Sequence, residues 1–160
     1  MTNPVTAKVI LNALWDGQIP VNIESIIKRL SIDIRSMTMD EQARNPNSHA
    51  YADVEKNGQR YISLASHSSR TRERFTLAHE LGHHALMHPL PKDRDEKSTY
   101  GMDYHEIEAN SFAAEILMPE DSLRNKINRG QTNIQHLADI YEVSYDAMYY
   151  RLKNLGFILE

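Results

Sequence analysis

Apolar residues recur at three- and four-residue spacing through most of this chain, and give way to short bounded runs near its middle. Residues 3 to 15 place Val5, Val9, Leu11, Leu14 and Trp15 loosely on a helix, with Pro4 suited to its start and Asp16-Gly17 to its end. The next segment puts Ile23, Ile26, Ile27 and Leu30 on one helix face, then leads into a strand around Ile32 to Met37. MDEQARNPNS, residues 39 to 48, is polar, contains Asn-Pro and reads as a loop. Runs from Ala50 to Val54 and from Arg60 to Leu64 flank Lys56-Asn57-Gly58. Asn-Gly tolerates positive φ at both residues, so this stretch predicts a tight β-hairpin.

Helical periodicity returns from Thr71 to His88, with Ser69 or Thr71 as N-cap, Glu73 in the first turn and Pro89 as the stop. The charged, proline-containing segment from Pro89 to Asp103 reads as a loop. A second long helix is expected from His105 to Leu117, ending at Met118-Pro119. Three shorter ones follow: Glu120 to Asn128, Ile134 to Tyr141, and Tyr145 to Leu155. The class is α+β, a small antiparallel sheet with helices packed on it. It forms one domain over residues 1–160, with a core of residues 1–119 and a helical C-terminal subdomain of residues 120–160.

Composition narrows the picture. With 160 residues, 41% hydrophobic and 25% charged, the chain can bury a real core and is not of disordered composition. A net charge of −4 argues against a broadly basic nucleic-acid surface. The absence of cysteine excludes disulfides and thiolate metal sites, leaving histidine and carboxylate as metal ligands. No apolar run approaches the ~20 residues that span a bilayer, and the N-terminus has no apolar signal core. A cytoplasmic protein without membrane contact is expected.

FTLAHELGHHALMH, residues 75 to 88, gathers four of the eight histidines. His79 and His83 are four apart and project from one helix face, close enough to share one zinc ion. Glu80, offset by about a quarter turn, can take the proton of a water there as general base. His-Glu-x-x-His on a helix is the recurring arrangement of zinc peptidases. A solvated histidine-rich helix is the bland alternative. The apolar cover of Phe75, Leu77, Ala78, Leu81, Ala85 and Leu86 argues against it, as does Gly82 in mid-helix, which costs ~1 kcal/mol unless something approaches closely. His84 and His88 point off the ligand face and read as packing or surface residues, and His49, His67 and His136 carry no pattern.

A catalytic zinc takes three protein ligands and an open position. In HEIEANSFAAEILMP, Glu106, Ala109, Asn110, Ala113 and Leu117 share one helix face, while Glu108 points roughly 160° away from Glu106. Glu106 is therefore the third ligand, Asn110 a hydrogen-bonding support one turn on, and Glu108 dispensable for metal binding. His105 lies beside the site, either to polarise a substrate carbonyl or as a neutral cap.

RFTLAHELGHHALMH followed by EIEANSFAAEILMP resembles the ImmA/IrrE family of zinc metallopeptidases. The lead-in YISLASHSSRTRE and the tail IQHLADIYEVSYDAMYYRLKNLG fit as well, so the resemblance covers roughly residues 20 to 156. It implies a gluzincin-like core in which His79, His83 and Glu106 bind Zn2+ and Glu80 is the base. It implies a protein substrate of the helix-turn-helix repressor class, whose cleavage releases mobile-element or stress-response genes. The strand from Arg60 to Leu64 is expected to receive extended substrate by strand addition.

A rival reading rests on the tail. LADIYEVSYDAMYYRLKNLG reads helix, Val-Ser turn, helix, as in DNA-binding or partner-binding regulators that keep zinc for stability. Its second helix offers only Arg151 and Lys153 as cations beside Asp146, too few for a phosphate-binding face. The aromatic group Tyr141, Tyr145, Tyr149 and Tyr150 reads as core and interface.

Overall fold

The computed structural model describes residues 3–66, 69–90 and 99–158, with backbone alone for residues 99–103. His67 and most of the charged loop after Pro89 lie outside the described residues. Eight helices and three strands are described, in the order α1 (Ala7–Leu14), α2 (Ile23–Arg29), β1 (Asp33–Ser36), α3 (Met39–Arg44), β2 (Ala50–Val54), β3 (Arg60–Leu64), α4 (Arg70–Ala85), α5 (Thr99–Leu117), α6 (Glu120–Asn128), α7 (Ile134–Tyr141) and α8 (Tyr145–Asn154).

The class is α+β as expected, but the sheet is mixed rather than antiparallel. Its order is β1-β3-β2, with β1 parallel to β3 and β2 antiparallel to it. The parallel pair arises because β1 reaches β3 through a connection that carries α3 and β2, which is longer than a hairpin. β3 is therefore central and paired on both sides. It cannot receive another strand, and the edge role expected of Arg60–Leu64 passes to β2.

The β2–β3 turn is looser than a two-residue one. Gly58 N–H donates to Glu55 O at 2.9 Å and Glu55 N–H to Gln59 O at 2.8 Å, a three-residue loop. Gly58 alone takes positive φ, +88°.

Residues 39–44 are a helix and not the expected loop. Thr38 Oγ1 accepts from Glu41 N–H at 3.1 Å while Glu41 Oε2 accepts from Thr38 N–H at 2.7 Å, a reciprocal cap that holds a six-residue helix without an apolar face.

The core lies between the sheet and the long helices. Ile23, Ile26, Ile27 and Ile62 meet Leu77, Ala78, Leu81 and Ala85 of α4, which in turn meet Phe112, Ala113, Ile116 and Leu117 of α5. Leu123, Leu137, Ala138, Tyr141, Met148 and Leu152 of the last three helices belong to the same cluster. Gly82 explains the close packing of α4 on α5. A Cβ there would meet three Phe112 side-chain atoms at 3.1–3.2 Å, so the ring would have to give way by a few tenths of an ångström.

Candidate metal centre

Helix α4 starts at Ser69, whose hydroxyl accepts from Arg72 N–H, and drives its second half into the core. Its C-terminal end is pinned to the sheet. Arg60 Nη1 donates to His84 O at 3.0 Å, and His84 Nε2–H donates to Tyr61 O at 2.8 Å. Burial holds the His84 imidazole below its ordinary pKa, in keeping with a neutral ring.

On the opposite side of α4, three groups converge. His79 Nε2 and His83 Nε2 are 3.1 Å apart. Glu106 of α5 closes the triangle, with Oε2 at 2.9 Å from His79 Nε2 and Oε1 at 3.1 Å from His83 Nε2. Carboxylate and imidazole atoms of Glu80, His79 and His83 all lie within 4.8 Å of one another. Glu80 and His83 are buried.

This geometry fits a cation. Asn110 Oδ1, an acceptor, lies 2.8 Å from His79 Nδ1, so His79 carries its proton there and turns a bare lone pair toward Glu106. A lone pair facing a carboxylate at hydrogen-bond distance is repulsive unless positive charge lies between them. Ligand atoms about 2.1 Å from a tetrahedral ion stand about 3.4 Å apart, close to the triangle seen. The atoms need spread only slightly to accept one.

The structure brings Glu106 rather than Glu108 to the histidines, and puts Asn110 on His79. His105 packs its ring against His88, with centroids 4.4 Å apart. His88 packs inside the protein, one of the two places expected for it, and there it also hydrogen-bonds to His83 and Glu108. Its Nδ1 lies 2.9 Å from His83 Nδ1 and its Nε2 2.8 Å from Glu108 Oε2. The cause is the way α4 ends. Met87 adopts φ +57°, and His88 N–H then bonds back to His83 O at 3.0 Å. This closure sets the residue after the left-handed one against the helix residue five positions earlier. Glycine is the usual signal for it. Here methionine stands in that place, so no residue type marks the turn.

A cleft of about 550 Å³ opens over the triangle. Glu80, His83 and Glu106 lie in its wall with Ala52 and Asp53 of β2 and Glu41 of α3. Tyr51 on β2 donates its hydroxyl to Glu41 Oε1, joining strand and helix across the rim. Burial and the neighbouring carboxylate push the Tyr51 pKa well up, while the donated hydrogen bond holds Glu41 down.

A His-Glu-x-x-His run on one helix, a carboxylate from the next helix and a cleft walled by a sheet edge make up the layout of a metallopeptidase. The chain belongs to the peptidase family described as the IrrE N-terminal-like domain, whose model matches residues 27–153. It is 36% identical over 63 residues to an uncharacterized immunity region protein 2 of Bacillus phage phi105, covering 38% of this chain and 39% of that protein. The solved structure of a Mycobacterium tuberculosis transcriptional regulator shares the fold, with a TM-score of 0.56 at 18% identity over 82% of this chain. This chain spans 39% of that regulator's length. Among the described residues no helix is long and apolar enough to cross a membrane.

Proposed function

We propose that the protein is a zinc-dependent endopeptidase acting on a protein substrate of the helix-turn-helix repressor class. The observation that carries this reading is the convergence of His79, His83 and Glu106, with Glu80 beside them, at a cleft whose wall includes Glu80, His83 and Glu106. Zinc held by those three residues would polarise a peptide carbonyl and make a water acidic near neutral pH. Glu80 takes the proton from the attacking water and hands it to the amine that leaves as the C–N bond breaks. β2, the sheet edge in the cleft wall, is the strand that aligns the substrate backbone. Membership of the peptidase family and likeness to a phage immunity-region protein support a repressor as the substrate.

A DNA-reading tail has less support. Arg151 Nε donates to Met118 O at 3.1 Å, which commits one of the two cations of α8 to the protein itself. The inner face of that helix, Met148 and Leu152, is core.

Purified protein should carry about one zinc per chain. Glu80→Gln should keep that zinc and the fold and lose cleavage of a co-expressed repressor, by a factor of at least about a hundred. Cleavage undiminished in Glu80→Gln, or a wild-type protein that takes up no zinc, would overturn the reading.

A further inference from the structure

Proton positions can be assigned along a chain of three side chains behind the metal centre. Glu108 Oε2 lies 2.8 Å from His88 Nε2, and His88 Nδ1 lies 2.9 Å from His83 Nδ1. A carboxylate only accepts, so His88 gives Glu108 its Nε2–H. A neutral imidazole carries one N–H, which leaves His88 Nδ1 as the acceptor for His83 Nδ1–H. His83 then has its lone pair on Nε2, the atom 3.1 Å from Glu106 Oε1.

We infer that Glu108, acting through His88, is a positioning residue that fixes which nitrogen His83 presents to the metal. The inference takes its purpose from the proposed metal centre, whereas the proton order belongs to the chain alone. Two further observations support it. His83 and His88 are 4% and 7% exposed, so water cannot readily substitute for either partner. The backbone bond from His88 N–H to His83 O holds the two rings in place from below. The rival account is a surface ion pair between His88 and Glu108 that contributes only to local packing, and Glu108 is exposed enough to permit that (36%).

The test uses the 160-residue chain with and without zinc. Nitrogen-15 NMR of the zinc-free protein should show His83 as the Nδ1–H tautomer, and Glu108→Ala should turn that signal into a mixture. In competition with a chelator, Glu108→Ala should weaken zinc binding roughly 10–100-fold. Glu108→Gln, whose amide oxygen still accepts, should retain most of the affinity. His88→Phe should show the same loss as Glu108→Ala, and combining the two should add nothing further, as groups acting in series require.

Unchanged tautomer and zinc affinity in a folded Glu108→Ala protein overturn the inference. Additive losses in the double variant overturn it too, since Glu108 would then act on the metal without His88. Failure of the wild type to take up zinc would instead defeat the metal reading, and the zinc-free spectrum would still judge the proton order.

Discussion

His79 and His83 stand one helical turn apart and aim the same nitrogen at the same point, yet they are held in opposite ways. His79 leans on Asn110 through one hydrogen bond at the solvent side of the helix pair. His83 leans inward, on a histidine that leans in turn on a carboxylate. At an exposed bond, water can replace a lost partner at small cost; at a buried one the loss leaves an unpaired polar group. Two histidines that look equivalent in a motif therefore differ in how much change their supports tolerate.

The largest effect should come from the residue both histidines share. Glu106→Ala removes both oxygens facing them, and zinc affinity should fall by at least about a thousandfold, since two ligands remain. A Glu106→Ala protein that titrates against a chelator like wild type would show that the histidines do not meet at this carboxylate. The exposed support should matter less. Asn110→Ala should weaken zinc binding about 3–10-fold, with a water taking over the His79 Nδ1–H. Chelator competition in which Asn110→Ala loses more than Glu108→Ala would reverse the comparison. The smallest effect concerns the turn that folds His88 back. Met87 takes a left-handed conformation that favours glycine and is partly exposed, so Met87→Gly should stabilise the protein by ~0.5–1 kcal/mol. The denaturation midpoint reads this directly, and a lowered midpoint would mean that the methionine side chain is itself needed.

The same contrast marks what could be read from the sequence. Regular periodicity gave the helices after residue 119 and the hairpin strands almost to the residue, because an apolar face must recur at the helical or strand period to reach a core. Helical spacing likewise put Glu106 and Glu108 on different faces, and of the two it is Glu106 that lies against His79 and His83. Features set by end effects escaped. α3 has no apolar stripe and exists through the reciprocal cap of Thr38 and Glu41, a signal present in the sequence but outweighed by the polar, Asn-Pro-containing stretch around it. The hydrogen bonds of His88 escaped because its place depends on a helix terminus without glycine. The exchange of β2 for β3 as the sheet edge came from pairing order, and no local pattern records which partner β1 chooses.

Arg74 carries a consequence for how the molecule is made. Its side chain, 1% exposed, donates to Val21 O at 2.7 Å, to Tyr141 O at 3.3 Å and to Glu142 O at 3.2 Å. Two of those acceptors lie 67 and 68 residues further along the chain. On a growing polypeptide the histidine helix is synthesised well before the end of α7, and until those carbonyls arrive its guanidinium has no complete set of partners. Contacts of such long sequence separation form late. The helix that bears Glu80 thus acquires its final seat only after residue 142 has been added, so a chain cut before that point would hold Glu80 and its histidines on a helix without its full anchorage.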